Sequence, residues 1–172
     1  MMRILAGILR LIDSISIRTG TAVALIAVPM IIALIYEVFA RYVMHRPTIW
    51  SYEVTYMIYG THYLLGAAYT LYLKGHIRID LLYMKFSPRK RAAIDVIGYL
   101  IIFFPVMLIL IISGYDMASY AYRIKEVSQF TPWQPVLWPF KAMICVGFIL
   151  LVLQGIAEFI RSLMMLIRGQ EI

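Results

Sequence analysis

Long apolar runs alternate with short charged segments along this chain. About 20 residues are needed to span the hydrocarbon of a bilayer. Lipid offers no hydrogen-bond partners to the backbone, so runs of that length must be helical. The uncharged runs occupy residues 19–36, 54–73, 96–113 and 142–157. The last run is long enough if it begins near Val136 and Lys141 extends its ammonium group to the interface.

The pattern therefore predicts an all-α membrane protein with four transmembrane helices in a single domain, residues 1–172. The expected spans are about 19–40, 53–73, 93–114 and 136–159. Ser87-Pro88 has the pattern of an N-cap followed by a first helical residue, and Thr48 or Ser51 is a candidate cap for the second span. Pro29 and Pro105 lie inside spans, where proline kinks a helix.

Residues 1–18 have a different periodicity. One helical face carries Ile4, Leu5, Ile8, Leu11, Ile12 and Ile15, whereas the other carries Arg3, Arg10 and Ser14. This pattern predicts an amphipathic helix that lies in the membrane interface before the first span. Arg3, Arg10 and Asp13 interrupt the apolar residues and no small-residue cleavage site follows, so a cleavable signal is not expected.

Composition supports lipid as the solvent. Hydrophobic residues make up 63% of the chain and charged residues 15%, against about half and a quarter in soluble domains. The net charge of +7 comes from basic residues between the apolar runs, so we interpret it as a topology signal and expect no nucleic-acid partner. Eleven basic residues fall on one predicted side and four on the other, which predicts that both termini are cytoplasmic.

No candidate for catalysis emerges from the polar residues. A charge at mid-depth usually marks an ion or substrate path, but the acidic residues of the spans lie near helix ends. His62 alone lies well inside a span, and we interpret it as a packing residue, because His45 and His76 are in loops and cannot complete a bis-histidine haem site. Cys145 has no second cysteine to pair with. We predict no enzyme activity, no cofactor and no metal site.

Four polar residues gather around the loop between the first two spans, and we call them the hairpin cluster: Glu37, Arg41, Trp50 and Glu53. Glu37 and Arg41 are four residues apart, in the favourable order for a helical ion pair. Glu53 opens the next helix, where the dipole favours a carboxylate. Two interpretations stay open: a structural clasp for the hairpin, or a docking surface for a partner.

A second polar group follows the second span, at Gly75, His76, Arg78 and Asp80. Gly75 is a candidate helix terminator and Asp80 a candidate cap for a short following helix. The group is either a basic topology-setting loop or a set of specific polar contacts. Within the second span, Gly60, Gly66, Ala67 and Ala68 are suited to close helix packing.

Taken together, these residues resemble the small membrane subunit of tripartite ATP-independent periplasmic (TRAP) transporters over nearly the whole chain. The similarity is carried by the hairpin cluster with Tyr42 and Pro47, by Gly66-Ala67-Ala68, by the run from Gly75 to Asp80, and by Leu153-Gln154-Gly155. A second acidic residue near the tryptophan is common in that family, but here Tyr52 precedes a single Glu53.

The resemblance implies a bacterial inner-membrane complex. A periplasmic solute-binding protein would deliver the solute, and a large membrane subunit would carry it inward with sodium. The present chain would brace that large subunit and contact the membrane lipids. The loop Thr131-Pro132-Trp133-Gln134-Pro135 is similar to that of relatives that handle organic acids. Two rival functions are a self-sufficient four-helix exporter, for which Glu37 is the only coupling candidate, and an intramembrane redox protein.

Overall fold

A computed structural model describes residues 2–75 and 86–169 of the chain. All regular structure in those residues is helical, and the single antiparallel bridge, Val127 to Val136, is isolated in a loop. The all-α prediction is therefore confirmed. The helices are α1 (Met2–Tyr42), α2 (Ser51–Tyr72), α3 (Pro88–Gly98), a π-helical turn (Tyr99–Phe103), α4 (Phe104–Arg123) and α5 (Trp138–Arg168).

Within the described residues, three helices are long and apolar enough to cross a membrane: Arg3–Tyr42, Pro88–Arg123 and Trp138–Arg168. The sequence predicts a fourth span in α2. That helix has 22 residues, but six of them are tyrosines, which make it less apolar than its neighbours. Four spans are therefore not confirmed. Since α2 packs along both α1 and α5, we treat it as part of the same membrane bundle.

The N-terminal segment corrects one prediction. The structure has no separate interfacial helix ending at residue 18, because α1 continues for 41 residues, about 60 Å. No residue near the expected boundary breaks the backbone ladder, and Gly20 is covered by the ring of Tyr69. A third face of the segment, with Leu9 and Ser16, is buried. The two-sided amphipathic pattern therefore describes only part of its environment.

Helix ends follow local chemistry. α3 begins at Pro88, as the Ser87-Pro88 pair predicts. The backbone N–H of Ser51, the first residue of α2, donates to the Thr48 hydroxyl over 3.2 Å. α2 ends at Tyr72, three residues before Gly75. Lys74 takes the left-handed conformation at φ 54°, and the Gly75 N–H returns to the carbonyl of Thr70 at 2.9 Å.

Close helix contact depends on glycine. A Cβ atom added at Gly147 of α5 would lie 2.9 Å from the Leu64 Cβ and 3.1 Å from its carbonyl carbon, so only hydrogen fits between α5 and α2. A Cβ at Gly155 would lie 2.2 Å from the ring of Phe103, in the π-helical turn just before Pro105. α5 is thus the helix against which α2 and the α3–α4 segment pack.

Candidate functional site

Glu37 organises the hairpin between α1 and α2. Its Oε1 accepts from the Arg41 guanidinium, with an Nε distance of 2.9 Å. Its Oε2 accepts from the backbone N–H of Thr48 at 3.0 Å and also from the Thr48 hydroxyl. The Glu37 side chain is mostly covered, whereas 55% of the Arg41 side chain is exposed. The carboxylate therefore joins the last turns of α1 to the residues that precede α2.

Two further contacts close the same hairpin. The indole of Trp50 stacks on the ring of Tyr36, with centroids 5.9 Å apart. The Ser51 hydroxyl donates to the carbonyl of Ala33 at 3.2 Å, and Ser51 is buried. Glu37, Arg41 and Trp50 thus lie in one set of contacts between α1 and the start of α2.

Glu53 lies apart from the rest of the hairpin cluster. Its side chain is fully buried, and its Oε1 accepts from the Thr131 hydroxyl at 3.2 Å in the α4–α5 loop. Among the described residues its Oε2 has no hydrogen-bond partner. The same loop is held to α5 by the ion pair of Glu126 with Lys141, at 2.6 Å. Lys141 therefore bonds within the chain rather than only reaching to the interface.

A second polar set, the α1–α5 network, joins the N-terminal part of α1 to the last helix and consists of Asp13, Ser16, Gln154, Glu158 and Arg161. The Ser16 hydroxyl donates to Gln154 Oε1 at 2.8 Å. Gln154 Nε2 lies 3.2 Å from Asp13 Oδ1 and 3.3 Å from Glu158 Oε1. Arg161 donates to both carboxylates, at 2.5 Å to Asp13. Gln154 is fully buried and Glu158 almost so.

The network was not predicted, although its spacing is visible in the sequence. Asp13 and Ser16 are three residues apart, and Gln154, Glu158 and Arg161 follow at intervals of four and three, so each set lies on one helical face. Hydrophobic periodicity could not identify the partners, because it does not show which helices adjoin. One guanidinium thus serves two carboxyl groups in this network.

The groups considered for redox or metal chemistry have packing contacts. His62 Nδ1 lies 3.0 Å from the carbonyl of Val23, which makes it the donor in a bond between α2 and α1. The Cys145 thiol contacts the carbonyl of Ile111 at 3.8 Å. In the part of the chain that the structure describes, no three His, Cys, Asp or Glu side chains are grouped to hold a metal ion.

The polar group that follows the second predicted span can be located only in part. Gly75 follows the end of α2, as described above. His76, Arg78 and Asp80 lie outside the described residues. Whether they set topology or make specific contacts therefore stays a prediction.

A comparison with protein families gives a match over most of the chain. The model of the family described as "Tripartite ATP-independent periplasmic transporters, DctQ component" matches residues 30–164, which is most of the chain. The match contains the hairpin cluster and the α5 half of the α1–α5 network, but not Asp13 or Ser16. No curated protein matches the chain.

We expect Arg161→Ala to lower the free energy of unfolding by about 3 kcal/mol, because it leaves two poorly exposed carboxylates without their cation. Arg10→Ala is the matched control, since Arg10 is an exposed arginine of α1. Thermal or denaturant unfolding of the purified subunit in detergent measures both changes. Equal losses from the two variants would show that the network does not stabilise the fold.

The hairpin offers a second comparison. We expect Thr48→Val to lower the melting temperature about twice as much as Arg41→Ala, because Thr48 loses a part-buried donor while Arg41 is half exposed. Both variants are measured in the isolated subunit. A fold unaffected by either change, together with a weakened complex, would favour the docking interpretation of the hairpin cluster over the clasp.

Proposed function

The chain belongs to the DctQ component family of tripartite ATP-independent periplasmic transporters, and on that premise we propose that it braces the large transport subunit of such a system. That complex takes up an organic acid-type solute with sodium after a periplasmic binding protein has delivered it. The family is a transporter component family and not an enzyme class. Sodium coupling and the class of solute are supported by the resemblance of the chain to this family.

One observation supports the bracing role: the ion-paired side chains of the bundle bind to other residues of the same chain. Glu37 is bonded to Arg41 and Thr48, and Arg161 to Asp13 and Glu158. A solute path needs polar groups that can exchange protein partners for solute. Groups committed to contacts between helices favour a rigid support instead.

The rival functions are less well supported by the same contacts. An exporter that used Glu37 for coupling would have to break bonds to Arg41 and Thr48 in each cycle. A bis-histidine haem site would need a second histidine at the depth of His62, and the sequence places His45 and His76 in loops. For the hairpin cluster we favour the structural clasp, because three of its four residues join α1 to the start of α2.

We expect solute uptake only from the complete system. Proteoliposomes that hold this chain, its large membrane subunit and the binding protein should accumulate an organic acid under an inward sodium gradient. Proteoliposomes with this chain alone should accumulate none. Radiolabelled uptake measures both. Uptake by the single subunit would support the exporter, whereas failure of the large subunit to co-purify would reject the bracing role.

We propose that the subunit lies in the bacterial inner membrane with both termini in the cytoplasm, because most basic residues fall on that side. A cysteine in place of the exposed Gln129, in the α4–α5 loop, should react with an impermeant maleimide added from the periplasm. Lys90→Cys, exposed in α3, should react only after the membrane is opened. The native Cys145 is buried and contributes little background. The reverse labelling pattern would invert the topology.

A further inference from the structure

One face of α2 carries a line of exposed tyrosines through the bundle. The spacing of four, three, four, three and four residues places the line within an arc of about 80°. We call it the tyrosine stripe: Tyr52, Tyr56, Tyr59, Tyr63, Gly66 and Thr70. Its four tyrosines are all among the exposed side chains, and Tyr63 is the most exposed at 69%. Phe130 contacts the rings of Tyr52 and Tyr56, and Phe140 also contacts Tyr56. Tyr59 and Tyr63 have no ring contact with the described residues.

The depth of two tyrosines is unusual for a lipid-facing surface. Tyr59 and Tyr63 lie within about 4 Å of the middle of α2 along its axis. Tyrosine is favoured at the membrane interfaces, where its hydroxyl meets water or headgroups. To the described residues, neither Tyr59 nor Tyr63 donates a hydrogen bond. Hydrocarbon would leave both hydroxyls without an acceptor.

The α3–α4 segment shows what a lipid-facing surface of the same protein is like. Its exposed side chains at similar depth are aliphatic, among them Leu108, Ile109 and Ile112. It has the highest hydropathy of the candidate spans, 2.8, and none of that window is buried. An exposed surface of aliphatic side chains is compatible with contact to lipid. The tyrosine stripe differs from it in chemistry, not in exposure, and therefore suits a partner that accepts hydrogen bonds.

Gly66 gives the stripe a shape as well as a chemistry. A Cβ atom added there would meet nothing within 4 Å, whereas the other glycine of α2, Gly60, faces the ring of Phe140. Gly66 therefore forms a notch one turn below Tyr63 on the open side of the helix. Small residues at such positions let a second transmembrane helix approach closely.

We propose that the tyrosine stripe is the surface on which the large membrane subunit docks, with a transmembrane helix that seats at Gly66 and offers hydrogen-bond acceptors to Tyr59 and Tyr63. The inference rests on the proposed function and adds the location of the interface. The hydroxyls of Tyr59 and Tyr63 need acceptors that a protein can supply and hydrocarbon cannot. The notch at Gly66 is best filled by a helix whose side chains differ from those of the stripe.

A second copy of this chain fits the stripe less well. Two copies inserted in the same direction are related by an axis along the membrane normal, so residues of equal depth face each other. Tyr63 would then oppose Tyr63, and the notch at Gly66 would oppose another notch. The rings would hold the two backbones apart while the notch stayed empty. A helix of different sequence can place a small residue opposite Tyr63 and a larger one in the notch at Gly66.

Photo-crosslinking locates the partner. A benzophenone amino acid replaces Tyr63 in the complete complex, and the matched control replaces Ile109, which is 63% exposed on the aliphatic surface. We expect at least about tenfold more adduct with the large subunit from position 63 than from position 109. Equal yields, or an adduct from position 63 with a second copy of this chain, would overturn the assignment.

A glycine pair tests the notch. Gly66→Leu and Gly98→Leu both add a side chain where a Cβ would meet nothing within 4 Å, so both isolated subunits should keep their melting temperatures. Only Gly66→Leu should reduce the co-purified large subunit, by about tenfold. An undiminished complex would overturn the docking surface while leaving the bracing role intact. If the wild-type subunit captures no large subunit, both the docking surface and the bracing role are rejected.

Discussion

Arg161 links the first and last helices of the bundle through two carboxylates. Asp13 comes from α1 and Glu158 from α5, so the guanidinium joins helices that are separated by most of the chain. Charged groups that are largely withdrawn from water are tolerable only when they are paired and hydrogen-bonded. Gln154 completes the pairing, since its amide bonds to both carboxylates and to Ser16. The position of the N-terminal part of α1 depends on this arrangement.

Between its charged ends the bundle is held by shape. Gly147 lets α5 approach the backbone of Leu64, and Gly155 admits the ring of Phe103. The second contact coincides with the π-helical turn that precedes Pro105. Proline lacks an N–H and clashes with the carbonyl four residues earlier. A widened π-helical turn at that point accommodates the missing hydrogen bond and reduces the clash. Pro105 therefore acts on helix packing through the residues that precede it.

The predictable part of this protein was its helical content and the pairs that are close in sequence. Glu37 and Arg41 are one turn apart and Ser87-Pro88 are adjacent, so local rules place them. Contacts over long sequence distances were not predictable in the same way. Asp13 reaches Arg161 and Glu53 reaches Thr131 only because of how the helices are arranged, which periodicity does not specify. The sequence predicted a separate helix before the first span, because an amphipathic pattern shows which side of a helix is apolar but does not show where the helix ends.

The distribution of polarity among the helices bears on what the subunit can do alone. The Glu37–Arg41 and Glu126–Lys141 pairs lie near helix ends, and the Asp13–Arg161 pair joins α1 to α5. The exposed surface of α3–α4 is aliphatic. A ligand shifts a conformational equilibrium only by its differential affinity for the two states. Ion pairs that are committed to contacts within the bundle offer a transported ion little differential binding. Under the proposed function, the free energy that drives transport acts on the large subunit, and this subunit gives it a fixed surface against which to move.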